Sequence, residues 1–255
     1  MRFQILAAQL ALAALLLAVA AAAVAVAGVR LDMFEYKTGL TLMVPAVALG
    51  LIALVCALAW LMRALKRNQG EAKRIGLIAL CGTLLFLWVP LHTLYTGFTT
   101  APINDVASDT DDPPAFVALA KRGPGMNSPV FDNSSRISFQ GESGTPGYIL
   151  HTFYFLWLTR PHNGLAVTTT KWFWRDFEAV KNMGWTIVAY DEKAGRIEAT
   201  SASFWFGQVT DIVIRVRPAG AIGARLDARA QSEKGTQDFG RNLALLKDFF
   251  RSLSS

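Results

Sequence analysis

Five arginines in the second half of the chain are the side chains best placed to do chemistry. Read as strands, Val209–Arg217 and Ile222–Gln231 put Ile212, Ile214, Val216, Leu226, Ala228 and Ala230 on one face. The opposite face then carries Arg215, Arg217, Arg225 and Arg229 beside Asp211 and Asp227, and Arg196 alternates with Glu198 in the same way on a neighbouring strand. Guanidinium forks match pairs of phosphate or carboxylate oxygens, so one reading is a surface for an anionic lipid headgroup or an acidic partner. The other is a solvated cross-strand charge ladder, in which each opposite pair contributes about 0.2–1 kcal/mol.

Other reactive patterns fall short. Gly141-Glu142-Ser143-Gly144-Thr145 comes nearest to a nucleophile elbow, but the elbow needs Gly where Thr145 stands, and Pro146 opposes the sharp entry into a helix. His151 and His162 have no partner at metal-ligand spacing. The acidic run Asp105, Asp109, Asp111 and Asp112 lacks the central Gly and distal Glu of a calcium loop. Gly220 and Gly223 flank Ala221-Ile222 between two expected strands, which suits a hairpin turn better than a phosphate loop. No catalytic residue, metal ligand or cofactor site is therefore expected. Trp157, Trp172, Trp174 and Trp205 belong either to a core or to the lining of an apolar cavity.

The elements that position these residues divide into a membrane part and an exported part. Phe3–Val29 has only Gln4 and Gln9 as strongly polar positions, and neither Leu40–Met62 nor Ile75–Phe98 contains a charge. Each exceeds the roughly 18 apolar residues that cross a bilayer as a helix. Spans are expected at about 4–29, 39–62 and 75–98, making residues 1–98 a transmembrane region. The first stretch also admits a cleaved signal peptide, with Ala25-Val26-Ala27 before Gly28 as the small-residue site. Pro45 and Pro90 permit kinks in the second and third spans. Cys56 and Cys81 both lie in spans, so no disulfide staples the remainder. His92 sits near one end of its span, within reach of water or headgroups.

Charge orients the layout. Of the net charge of +6, residues 99–255 contribute only +1, from 17 Lys/Arg against 16 Asp/Glu. The loop holding Arg30, Asp32, Glu35 and Lys37 sums to zero, and the excess comes from Arg2, Arg63, Lys66, Arg67, Lys73 and Arg74, less Glu71. Lys- and Arg-rich short loops stay cytoplasmic, which places the N-terminus and the 63–74 loop inside and the C-terminal domain outside, in the periplasm of an inner-membrane protein. A nucleic-acid partner is not expected from a domain so nearly neutral.

Residues 99–128 read as an acidic, Pro- and Gly-rich linker, and 129–255 as the exported domain. Tyr148–Leu158 is expected as a buried strand or an interfacial aromatic run, and Leu165–Thr169 as a strand. Thr170 can cap a helix that Gly184 ends. Trp185–Tyr190, Arg196–Ser203 and the two arginine-bearing strands form a meander, followed by a helix over about Thr236–Leu253. The expected fold is α+β: three transmembrane helices, then an antiparallel sheet with two helices packed on one face.

Several motifs in order complete the picture. Asp111-Asp112-Pro113-Pro114-Ala115-Phe116, Met183-Gly184-Trp185, Gly195-Arg196-Ile197-Glu198-Ala199-Thr200 and Trp205-Phe206-Gly207 are followed by Asp211–Pro218 and Asp238-Phe239-Gly240-Arg241-Asn242. Together they resemble the bacterial domain of unknown function 1499 (DUF1499), over most of residues 103–255. Residues 127–165 are longer and richer in Gly and Ser than that pattern. The resemblance implies an often membrane-tethered module and carries no reaction, so no catalytic role passes to this chain. Two functions stand at this point: an exported domain that binds a membrane or periplasmic protein, or anionic lipid, at the Arg face without catalysis, or a lipid-handling protein or enzyme at the outer membrane surface.

Overall fold

The computed structural model describes residues 2–67, 70–158, 169–219 and 223–253. The chain forms two compact units, one comprising Met1–Tyr95 with Phe204–Gly207, the other Thr96–Ser203 with Gln208–Ser255.

Three helices, α1 (Arg2–Arg30), α2 (Tyr36–Lys66) and α3 (Gly70–Thr99), account for the apolar stretches. Three segments, Gln9–Arg30, Tyr36–Lys66 and Gly70–Thr99, are long and apolar enough to cross a membrane. Small residues at heptad spacing make up most of what α1 and α2 bury: Ala11, Ala18 and Ala25 on α1, and Ala46, Gly50, Ala53, Ala57 and Ala64 on α2. Where lipid replaces water, association rests on such close approach rather than on apolar burial. Gly76 of α3 shows the fit, since a Cβ there would stand 2.9 Å from the Trp60 ring, whose Nε1 donates to the Ala72 carbonyl at 2.9 Å. Pro45 and Pro90 lie inside helices that continue through them. Cys56 packs beside the Ala11, Ala57 and Ala79 cluster, whereas Cys81 is exposed.

In the second unit the strands β1 (Asp105–Ala107), β4 (Thr186–Asp191), β5 (Arg196–Ala202), β6 (Val209–Pro218) and β7 (Ala224–Ser232) form one antiparallel sheet in the order β1-β7-β6-β5-β4. β2 (Ile137–Phe139) and β3 (Glu142–Gly144) make a separate hairpin. Helices α5 (Thr169–Asn182) and α6 (Arg241–Ser252) bring Phe173, Val180, Leu246, Phe249 and Phe250 into one core with Ile197, Ile212, Ile214, Leu226 and Ala228. The expected α+β architecture and its apolar sheet face are present.

Several local expectations need correction. Tyr148–Leu158 is not a strand but most of a third helix, α4 (Pro146–Leu158), which buries Ile149 and Leu150 in the same core. Its start is chemically marked: Pro146 holds the first helical position, and the Thr145 hydroxyl accepts from the Tyr148 amide at 3.3 Å. Residues 99–128 are not a solvated linker, because they supply β1, which pairs with β7 through Val106 opposite Ala230, and a 3-10 turn at Ala118–Ala120. The last helix begins at Arg241 rather than near Thr236, because Phe239 and Gly240 take left-handed φ of 55° and 78°. There the buried Asp238 carboxylate accepts from the amides of Gly240 at 2.8 Å and Asn242 at 2.7 Å. Gly184 does end α5, at φ 70°, its amide donating to the Lys181 carbonyl at 2.9 Å. The expected strand at Leu165–Thr169 lies outside the described residues except for Thr169, which opens α5.

Candidate functional site: the charged face of the sheet

Alternation places Arg215, Arg217, Asp227 and Arg229 on the face opposite the helices, as the sequence pattern requires, and register decides which groups meet. Arg215 lies opposite Asp227 and Val213 opposite Arg229, but Arg217 faces Arg225 and Arg196 faces Arg215. Like charges directly opposed destabilise a ladder. Carboxylates resolve the conflict. Asp227 accepts from Arg215 at 3.1 Å, from Arg217 at 2.7 Å and from Arg225 Nε at 3.0 Å.

Two further carboxylates come from the segment expected as a linker. Asp109 pairs with Arg225, and its Oδ2 lies 3.5 Å from Arg217. Asp112 accepts from Arg217 Nη1 at 2.6 Å and from Arg215 Nη1 at 3.3 Å, while its backbone carbonyl takes Arg215 Nη2 at 2.6 Å. The Arg217 hydrogen bond, with Arg215 beside it, holds the Asp112 carboxyl below the usual carboxylate range. Within this knot of six charges the outermost groups are Asp112, with a side chain 60% exposed, and Arg225, 54% exposed.

Arg229 belongs to a different environment. It is 1% exposed and grips Asp105 with two parallel bonds, Nε to Oδ1 at 2.8 Å and Nη2 to Oδ2 at 2.7 Å. Its remaining donors reach the carbonyls of Pro129 at 3.0 Å and Pro114 at 3.3 Å, and the Phe116 and Phe131 rings stand 4.8 and 5.5 Å from the guanidinium carbon. Beside it, Arg122 joins the buried Asp211 to Gln231. Burial pushes the Asp211 carboxyl up, and Glu233 is pushed up by its own burial and then by the Asp211 charge.

Arg196 sits next to a third arrangement. The fully buried Glu198 accepts from the amides of Val117 and Ala118 at 3.0 Å and of Leu119 at 2.8 Å, and Arg196 Nε lies 3.1 Å from it. A carboxylate at the start of the 3-10 turn satisfies amides that the turn itself cannot. The face is therefore not a solvated ladder: residues 109–131 lie across it and neutralise it. Structure brings Arg215, Arg217 and Arg225 together near the surface, leaves Arg196 at the side and uses Arg229 as an interior clamp.

The remaining suspects are scattered. Ser143 stands in the β2–β3 hairpin with its hydroxyl against that of Ser138, and His151 is exposed on α4; His162 falls outside the described residues. Trp172 is buried in the core, Trp174 and Trp205 are exposed, and the Trp157 side chain lies outside what is described. None of the three lines the cavity of about 10 Å³ that Ile103, Val106, Leu150, Tyr154 and Asp238 enclose, a space for one water. Asp176 escaped the sequence reading. It is fully buried on α5 with no hydrogen-bond partner for either carboxylate oxygen among the described residues, and burial raises it to about 7. The available signal was its place on the inward stripe of Trp172, Phe173, Ala179 and Val180.

Residues 105–253 match the family model described as protein of unknown function (DUF1499), which spans more than half of the chain. The chain belongs to that family. No curated protein and no solved structure matches it.

Proposed function

We propose that this member of the DUF1499 family is a multi-pass inner-membrane protein, with a cytoplasmic N-terminus and a periplasmic domain that binds an anionic group without catalysis. The group is the headgroup of an anionic lipid or a carboxylate of a protein partner, and it docks on Arg215, Arg217 and Arg225. One observation carries the reading: the half-exposed Asp112 carboxylate lies on two guanidinium forks where an external anion would lie. Asp112 acts as an internal stand-in, and the incoming anion displaces it. Arg229 and Arg196 contribute the frame, through Asp105 and Glu198, that holds the three binding arginines in place.

The test uses the full-length protein in detergent, retained on beads coated with phosphatidylglycerol or with phosphatidylcholine. Arg217→Gln/Arg225→Gln is expected to lose selective retention on phosphatidylglycerol. Asp112→Asn, by removing the competing carboxylate of an exposed pair, is expected to strengthen it by about 2–5-fold. Pull-down with the same variants reads the protein-partner arm. Unchanged retention and unchanged partners in both variants would overturn the assignment.

A further inference from the structure

The tetrapeptide Phe204–Gly207 belongs to the same compact unit as the apolar helices, although it lies in the chain between β5 and β6. Arg30, the last residue of α1, holds it there: Nε donates to the Trp205 carbonyl at 3.0 Å and Nη2 to the Phe204 carbonyl. The Phe206 ring meets that of Tyr36, the first residue of α2, edge to face at 5.7 Å between centroids, and lies 3.2 Å from the position a Cβ on Gly39 would take. The backbone of the tetrapeptide is thus pinned at the level where charges first appear after the apolar run of α1, at Arg30, Asp32, Glu35 and Lys37. That level is the boundary between hydrocarbon and headgroups for a helix of this length.

At that boundary two large rings point out of the unit unburied. Phe204 is 77% exposed and Trp205 48%, stacked edge to face on each other at 5.1 Å. Leu31 and Met33, in the turn between α1 and α2, are exposed as well, and so is Val24 on α1. A water-facing turn between strands favours Gly, Asn, Asp and Ser, whereas an exposed Phe-Trp pair is of the kind that interfacial segments seat in the membrane, Trp being also a residue of the aromatic belt.

We propose that Phe204 and Trp205 are seated in the lipid bilayer at the headgroup–acyl boundary, so that the β5–β6 turn is an interfacial anchor and not a solvated loop. The occupant of the patch is lipid, because Arg30, at the end of a helix long and apolar enough to cross a membrane, holds the turn at that height and Phe206 packs on the first turn of the next such helix. The inference rests on the membrane association proposed above and adds a contact outside the three helices.

The experiment labels Phe204→Cys, and separately Trp205→Cys, with a bimane fluorophore in full-length protein carrying Cys56→Ala and Cys81→Ala, reconstituted into vesicles. Quenching by brominated phosphatidylcholine and by aqueous iodide is measured, with Val55→Cys on the exposed flank of α2 as the reference for lipid contact. Bromolipid quenching at positions 204 and 205 comparable with that at 55, and several-fold weaker iodide quenching than for free label, is the expected result. Quenching by iodide but not by bromolipid at both sites overturns the proposal while Val55 upholds the membrane reading. Protection from both quenchers also overturns it, because protein then covers the patch. Absence of bromolipid quenching at Val55 itself defeats the membrane reading and the anchor with it.

Discussion

Replacing Arg229 by Met separates its structural role from the proposed binding role of its neighbours. The wild-type guanidinium is almost wholly buried and makes four hydrogen bonds, two to Asp105 and one each to the Pro114 and Pro129 carbonyls. Methionine fills much of the volume between Phe116 and Phe131 but leaves Asp105 buried with Gln231 Nε2, at 3.1 Å, as its remaining side-chain donor. Breaking one side of a buried ion pair costs about 3–5 kcal/mol, and at roughly 2–4 °C per kcal/mol for a unit of this size Tm should fall by about 6–20 °C. Asp105→Leu should cost a similar amount. The double variant removes both charges, so its loss should be smaller than the sum of the single losses by about 2–3 kcal/mol. It should not return to wild type, because two proline carbonyls are left without a donor. Thermal unfolding of the four proteins in detergent, followed by tryptophan fluorescence, measures the cycle. Strict additivity, or a single Arg229→Met shift under about 2 °C, would refute the assignment of Arg229 as an interior clamp.

Other perturbations test other parts of the structure. Asp176, fully buried and raised to about 7, favours the folded state when protonated; its stabilising effect is complete below the unfolded carboxyl value near 3.9 and declines as pH rises to about 7, with a ceiling of about 4 kcal/mol. Asp176→Asn should flatten that slope in Tm between pH 4 and 8, and a wild type no more pH-dependent than the variant would contradict it. Gly195→Ala, at φ 63° with the new Cβ placed 2.1 Å from the Val216 carbonyl oxygen, should lower stability by at least 1–2 kcal/mol or so and speed hydrogen exchange across the β5–β6 pair. An export-dependent reporter should be active when fused after Ser255 and inactive near Gln69; the reverse pattern would invert the topology.

What was legible in the sequence was what repeats locally. The three apolar stretches exceed any core helix in length, and strict alternation across Ile212–Arg217 and Leu226–Gln231 identified both faces of β6 and β7. The run Tyr148–Leu158 failed because a nearly all-apolar segment has no period to read; Thr145-Pro146 before it was the sign of a helix start. Asp105, Asp109 and Asp112 looked like a solvated tether because their counter-ions lie more than a hundred residues away, and pairing at that distance leaves no local pattern. The five arginines were found as a face. That Arg229 clamps the interior while Arg225 reaches the surface depends on the cover supplied by Phe116 and Phe131, which alternation cannot show.

The pairing of β1 with β7 joins Asp105 to Gln231 and Ala107 to Arg229, almost the first and last residues of the sheet. Closing so long a loop costs more conformational entropy than closing any neighbouring hairpin, and topologies of this kind fold slowly. A chain emerging from its N-terminus presents Asp105 first and Arg229 last, so the carboxylate stays hydrated until nearly the whole domain has been delivered. The meander β4-β5-β6-β7 can form earlier from contacts between successive strands. On this loop-closure argument β1 is expected to dock last, bringing the anionic Asp109 and Asp112 onto the arginines with it. Before that event Asp227 alone offsets Arg215, Arg217 and Arg225, and any polyanion meets a cluster with two positive charges in excess.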